Sequence, residues 1–425
     1  MEQNPLRLKN FQILQVLTPD GNFLFITRIA RMFGYGFLSV VLVLYLEELG
    51  LTKIQIGLLL TLTLIGDTII SLWITTTADR IGRKRMLIAG AILMVFAGVL
   101  FALTRNFVLL LMAATIGVIS PSGYEVGPFL SIEQAALSQI VPNERRTYIF
   151  AWYNLVGSFA TALGALSAGA LVQVLQNSGV MFLESYRTIV IGYALIGLML
   201  GLLFTRLSPA VEVSSGSFTQ THPTAFKTRF GLHRSQGVVL KLSALFSLDA
   251  FAGGFVLQSI LAYWFHVRFN VQPAILGSIF FGTNILAGLS ALAATWMASK
   301  IGLIKTMVFT HIPSNILLIL VPLMPNLPLA IAALLLRFSI SQMDVPTRQS
   351  YTMAVVAPDE RSAAAGITGI ARTTGASLSP IFTGPLLANA ALMNLPFFLS
   401  GVLKIIYDLM LYRNFKAIKP PEEKK

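Results

Sequence analysis

The chain has 425 residues, of which 55% are hydrophobic and 12% are charged. Soluble domains carry about 25% charged residues, so the polar surface is too small to cover a water-soluble globule. Bilayer is the solvent that removes the conflict. The absence of cysteine excludes disulfides, thiolate metal sites and a cysteine nucleophile. His222, His233, His266 and His311 are scattered without ligand spacing.

Met1 to Asn22 is polar and mixed, lacks the charged-then-apolar order of a signal segment, and reads as a cytosolic lead-in. Crossing a hydrocarbon core of roughly 30 Å takes about 20 apolar residues in a helix. On that ruler apolar blocks fall near 23–46, 54–77, 86–104, 107–138, 148–175 and 186–206, then near 238–267, 273–298, 304–324, 327–351, 362–389 and 394–412. Helices satisfy every backbone polar group inside lipid. The blocks are too long and unbroken for barrel strands of about 10 residues. The predicted fold is an all-α membrane protein, with twelve transmembrane helices in two pseudosymmetric six-helix bundles. Pro121, Gly123, Gly127 and Pro128 predict one long, bent fourth helix, and Pro328 and Pro346 predict a bent tenth.

Residues 1–206 form the predicted N-terminal half, and 238–425 the C-terminal half with its tail. The polar segment 207–237, rich in Ser, Pro and basic residues, reads as a flexible cytoplasmic linker. With the N-terminus inside, nearly all lysines and arginines outside the helices fall on the cytosolic side. Lys53, Arg105, Arg187 and Arg268 are the outer exceptions. The net charge of +13 therefore marks one membrane face and not a nucleic-acid stripe.

Two self-matches recur at nearly one offset. ADRIG at 78–82 matches ASKIG at 298–302, with Gly57 and Gly277 preceding them at equal distance. PNER at 142–145 matches PDER at 358–361. Duplicated halves of this kind are common among secondary transporters.

Ala78 to Arg85 reads ADRIGRKR, which resembles the loop between the second and third helices of the major facilitator superfamily, roughly G-x-L-A-D-R-x-G-R-K/R. Asp79, Arg80, Gly82, Arg83 and Lys84 match, while Thr75 stands where the leading glycine is usual. The resemblance implies a cytoplasmic gate motif in which Asp79 helps latch the two halves. Arg80, Arg83, Lys84 and Arg85 are available to acidic groups or anionic lipid heads. The glycine–proline signature of drug–proton antiporters is partial. Gly157, Gly164 and Gly169 lack the proline, whereas Gly375, Pro380 and Gly384 include one.

A charge at mid-bilayer costs roughly 3 kcal/mol or more and calls for a partner or a task. Such charges are Arg28 and Arg31 in the first block, Asp67 in the second and Glu125 and Glu133 in the fourth. Asp249 follows in the seventh, Arg337, Asp344 and Arg348 in the tenth, and Arg372 in the eleventh. In the superfamily fold, helices 1, 4, 7 and 10 line the cavity with 2, 5, 8 and 11 beside them, so the resemblance implies that all these charges face a common centre. Lys404 and Asp408, at i, i+4 in the twelfth block, are expected to pair locally.

Asp67, Glu125, Glu133 and Asp249 are the candidate proton carriers, with fixed pairing, for example of Arg31 with Asp67 or Glu133, as the competing role, and pairing of Arg348 with Asp344 as the competing role for that arginine. Arg337, Arg348 and Arg372 suit a carboxylate or phosphate on the substrate. Aromatic residues near the cavity helices, among them Tyr124, Tyr153, Tyr263 and Trp264, are candidate lining. The expected activity is secondary active transport of a small solute by alternating access, with proton-coupled export of a drug or metabolite foremost. An uptake carrier or uniporter for a small organic or inorganic anion is the alternative. No Walker loop, metal-ligand cluster or nucleophile elbow suggests an enzyme. The expected partners are the substrate, a coupling proton and membrane lipid, without cofactor or nucleic acid. The expected state is a monomer in the cell membrane with both termini cytoplasmic.

Overall fold

The computed structural model describes residues 18–125, 127–141, 146–212, 232–357 and 360–418. The lead-in at 1–17, the PNER segment, residues 358–359 of PDER, the linker interior at 213–231 and the tail at 419–425 lie outside the described residues. So does the side chain of Asp79.

Twelve spans run back and forth. The first is Pro19–Ser39 with Leu42–Glu48, followed by Lys53–Ile81, Arg83–Leu103, Phe107–Ile116 with Phe129–Ile140, Arg146–Asn177 and Phe182–Thr205. The second six are Gln236–Gly254 with Gln258–Phe269, then Pro273–Ile301, Leu303–Leu320, Leu327–Phe338 with Asp344–Val355, Arg361–Ala388 and Leu395–Phe415. Among the described residues nine helices are long and apolar enough to cross a membrane, and the bent first pair makes ten. The fourth and eleventh spans complete the set. The eleventh is unusually polar because one face carries small residues against the seventh span. Gly375 lies so close that a Cβ there would sit 2.3 Å from the Ser247 carbonyl. Its other face exposes Ile370, Leu378, Ile381 and Phe382, as lipid requires.

The two halves repeat one packing scheme. The first span packs on the fifth as the seventh packs on the eleventh, and the third packs on the sixth as the ninth packs on the twelfth. The fifth span meets the eighth, and the eleventh meets the second, across the boundary between halves.

Four spans are interrupted, and they are the first and fourth of each half. The fourth is not the single bent helix expected. Residues 117–125 and 127–128 lie outside helix, with Gly123 at φ 71 and Gly127 at φ 81, a region that glycine enters without strain. Pro121 and Pro128 remove two further backbone donors. The tenth breaks at 339–343, which separates Arg337 from Asp344. In the first span the Ser39 hydroxyl donates to the Gly36 carbonyl at 3.2 Å and accepts from the Gln258 amide at 2.8 Å. A side chain that enters the helix ladder in this way accounts for a bend, here 45°.

The tightest backbone contacts that join the halves lie at the end of the bundle away from the termini, and a lighter contact of Gly288 with Ser158 lies near midspan. Gly57 meets Gly384, and Gly169 meets Gly277, backbone against backbone. Ser259 N–H donates to the Pro121 carbonyl at 3.1 Å, and the Tyr263 hydroxyl donates to Glu47 at 3.2 Å. At the opposite end Gly366 and Gly369 of the eleventh span have open space beside them, and Trp73 and Trp296 are exposed. The bundle is thus closed by backbone contacts at the end away from the termini.

One anchor holds the start of the seventh span. Glu360 accepts the backbone N–H groups of His233, of Arg234 at 2.7 Å and of Ser235 at 2.8 Å. Burial pushes this carboxyl up, but the Ser235 hydroxyl and those three amides outweigh it and hold it down at about 2. Because the folded value lies below the ordinary 4.5, the stabilisation is present above about 4.5 and is lost as pH falls through about 2. Glu360→Gln should therefore melt below the wild type at pH 7, with the gap closing toward pH 2. A gap that is constant with pH in detergent-solubilised protein would contradict this.

Candidate solute site

The interrupted spans bring the midspan charges to two clusters, one in each half. In the N-terminal half, Arg31 is fully buried and forks onto Glu133. Its Nη1 lies 2.7 Å from Oε1, and its Nη2 lies 2.6 Å from Oε2. Its Nε reaches Glu125 at 2.9 Å, and Arg28 pairs with the other Glu125 oxygen. Glu133 also accepts the Thr27 hydroxyl at 3.1 Å and the Tyr153 hydroxyl. The Arg28 guanidinium lies 4.8 Å from the centre of the Tyr153 ring. Two cations and two anions balance here. Of the two partners the sequence offers Arg31, Glu133 is the one it meets and Asp67 is not, and Glu125 is likewise held by two arginines.

Asp67 stands apart. Its Oδ1 accepts the Gly127 N–H at 2.6 Å, where the fourth span resumes, and the Ser71 hydroxyl at 3.3 Å. No basic side chain among the described residues pairs with it.

In the C-terminal half, Asp249 gathers three cations. Lys404 lies 2.6 Å from Oδ1, while Arg372 and Arg348 lie 3.3 Å and 3.4 Å from Oδ2. Arg348 also bonds Asp344, one turn away, at 2.7 Å. The local Lys404–Asp408 bridge is not formed. Asp408 instead accepts from the His311 ring at 2.9 Å and the Asn315 amide at 3.2 Å, which leaves Lys404 to reach inward. Sequence spacing missed this pairing because Lys404 and Asp249 are 155 positions apart.

Arg337 is the exception among the cations. It is 9% exposed, yet no carboxylate pairs with it among the described residues, and its Nε has no hydrogen-bond partner. Its guanidinium rests 4.7 Å from the Phe338 ring centre. Tyr124, from the break in the fourth span, and Asp344 and Asp249 are the groups whose fields act on it. Arg372 is 33% exposed. Counted across the C-terminal cluster, Arg337, Arg348, Arg372 and Lys404 face Asp249 and Asp344, so cations exceed anions by two.

The gate motif ties its own half together. Gly82 takes φ 114, and a Cβ there would meet Glu212 at 3.3 Å. Glu212 accepts the Arg83 and Lys84 backbone N–H groups at 2.7 Å and 3.2 Å, capping the third span, where a negative charge suits the helix dipole. The Arg83 guanidinium reaches Gln139 at 2.8 Å, and Lys84 Nζ reaches the Leu207 carbonyl at 2.7 Å. Arg80 and Arg85 are exposed. Asp79 sits on the second span with its side chain outside the described residues. Of the candidate aromatics, Tyr124 is 42% exposed beside Arg337, whereas Trp264 is buried and spends its N–H on Asn394. An apolar groove of about 290 Å³, lined by Ile29, Trp152, Val156, Phe159 and Leu163 among others, offers no polar group to a charged solute.

Twelve spans in two repeated halves, interrupted where charged side chains converge, define a carrier of the secondary-transporter type. The sequence model of the Major Facilitator Superfamily matches residues 24–380, and the chain belongs to that family. It is 33% identical over 414 residues to the uncharacterized membrane protein YJR124C of Saccharomyces cerevisiae, covering 91% of this chain and 92% of that one. It is 28% identical over 141 residues to the quinolone resistance protein NorA of Staphylococcus aureus, covering 33% of this chain and 35% of that protein. Its fold is similar to that of a bacterial homolog of the human lysosomal transporter Spinster in an inward-facing, unoccupied conformation. That likeness has a TM-score of 0.71 at 17% identity and covers 94% of this chain and 98% of the other. The chain is therefore a multi-pass membrane transporter of small solutes and not an enzyme.

Proposed function

We propose that this transporter moves a small organic anion by alternating access, and that Arg337 and Arg372 receive the anionic group. The observation that carries this reading is Arg337, a buried guanidinium without a carboxylate partner in the described structure. An unpaired buried cation is costly unless a ligand completes it, and a guanidinium fork fits carboxylate or phosphate. With the N-terminus in the cytosol, as the distribution of basic residues favours, the sealed end faces outward. The halves 1–206 and 238–425 then rock about this centre, with 207–237 as the cytoplasmic link.

Counterflow in proteoliposomes with radiolabelled monocarboxylates and phosphate esters tests the reading. A charge-assisted hydrogen bond contributes about 1.5–3 kcal/mol, so Arg337→Gln should lower kcat/KM for the accepted anion by roughly 10- to 150-fold. Neutral or cationic solutes carried equally well by the wild type and by Arg337→Gln would refute it.

Proton-coupled export of a drug or metabolite is a second reading. It is favoured by the likeness to NorA over a third of the chain and by Asp67, which lacks a basic partner. Glu125 and Asp249, each held by two or more cations, suit a fixed role better. Under this reading Asp67→Asn abolishes uptake driven by a pH gradient and spares counterflow.

A further inference from the structure

Asp249 is held unevenly. Lys404 grips one oxygen at 2.6 Å, whereas Arg372 and Arg348 approach the other only to 3.3 Å and 3.4 Å. The tight partner comes from the twelfth span, which the fold places away from the solute path, and the loose partners come from the tenth and eleventh, which border it. Lys404 is available for this task because the carboxylate one turn along its own helix is fully engaged elsewhere. Both Asp408 oxygens are taken, by His311 and by Asn315. Without those two residues the i, i+4 pairing would draw Lys404 away from the centre. Arg348 already has Asp344 at 2.7 Å, so Asp249 is its second partner, and Arg372 has no other carboxylate in the described structure.

We propose that Asp249 is a resident stand-in for the substrate anion on Arg372 and Arg348. Lys404 is the positioning residue that retains Asp249 when the substrate's carboxylate or phosphate takes its place. The inference rests on the anion reading above and deepens it. With Lys404 neutralising Asp249 and Asp344 neutralising Arg348, Arg372 and Arg337 are the two guanidinium groups left for the incoming anion. Arg372 then faces one carboxylate or another at each stage, Asp249 in the empty site and the substrate's anionic group in the loaded one. His311, Asn315 and Asp408 act at one remove by keeping Lys404 directed inward.

The test compares wild type, Asp249→Asn, Lys404→Met and the double variant, each accepted only if it elutes as a single species and melts cooperatively. The first readout needs no substrate. It is the rate at which phenylglyoxal modifies Arg372 in purified protein, followed by peptide mass spectrometry. Asp249→Asn should raise that rate by about tenfold through loss of the covering carboxylate, and Lys404→Met should lower it as Asp249 closes fully on the arginines. Equal rates in wild type and Asp249→Asn would overturn the stand-in role. The second readout is protection of Arg372 by benzoate and by inorganic phosphate. Lys404→Met should weaken protection by about tenfold, and the double variant should restore it, because the competing carboxylate is gone. A merely structural Lys404 predicts no restoration, and that result would overturn its positioning role. If neither probe protects wild-type Arg372 while the modification rates shift as expected, the anion reading fails and the Asp249 contact stands.

Discussion

Replacing Arg31 with methionine should destabilise the folded protein by about 3–5 kcal/mol, the usual penalty for removing one member of a buried ion pair. Arg31 is fully buried and donates to Glu133 at 2.7 and 2.6 Å and to Glu125 at 2.9 Å. Glu133, also fully buried, would keep the Thr27 and Tyr153 hydroxyls as donors but no cation among the described residues. A carboxylate in hydrocarbon without a cation either stays charged at high energy or takes up a proton, and each route weakens the native state. Arg31→Lys should recover only part of the loss, because an ammonium cannot reproduce the two-pronged geometry. The double variant Arg31→Met, Glu133→Leu should lie much closer to wild type than either single change, since the penalty belongs to the orphaned charge and not to the missing attraction. Melting curves of wild type, the three single variants and the double variant in detergent decide this. If Arg31→Met and the double variant melt alike, well below wild type, packing rather than charge is what Arg31 supplies.

That cluster also marks where the sequence stops being informative. The twelve spans were legible because hydrocarbon imposes a length and an apolar composition that few other environments impose. The duplication was legible because Gly57 and Gly277 precede matching loops, and both glycines prove to be half-boundary contacts. Arg348–Asp344 was legible from its i, i+4 spacing, whereas for Arg31 the sequence left Asp67 and Glu133 open and only the fold selects Glu133. The breaks in the first and seventh spans were not, because Val40, Val41 and Phe255 to Leu257 are as apolar as their neighbours. The cause in the first span is a tertiary contact, Gln258 on Ser39. The fourth span was read as bent when Gly123 and Gly127 in fact take it out of helix. Lys404 illustrates the deeper limit. Its charge was visible at midspan, but i, i+4 spacing pointed to Asp408. Only the fold reveals that His311 and Asn315 have taken that carboxylate and that Asp249 lies within reach. Glu212 and Glu360, which cap the third and seventh spans from afar, carried no local signal either.

The glycine pairs at the sealed end carry the other large expectation, on conformation and not on folding. A Cβ at Gly169 would sit 2.3 Å from the Pro273 carbonyl and 2.9 Å from the Gly277 Cα, and one at Gly57 would sit 2.6 Å from the Pro380 carbonyl. These neighbours are backbone, so no rotamer change relieves the clash. The halves must part at that end or strain. Overpacking of this kind typically costs 1–3 kcal/mol, about one to two powers of ten in a population. Because the clash exists only where the two halves meet, Gly169→Val should leave each six-helix half intact and shift the molecule toward the state open at this end. The chain has no cysteine, so a single reporter is unambiguous. Ile260, 2% exposed beside Gly57 and Gly384 in the sealed seam, is a suitable place for one. In the Gly169→Val background, Ile260→Cys should react with a maleimide at least about tenfold faster than in the parent, while solute flux falls because the sealed state is no longer reached. Gly169→Ala, with the smaller side chain, should lie between. Unchanged maleimide labelling in a protein that still folds and carries solute would mean that the two halves do not alternate about this seam.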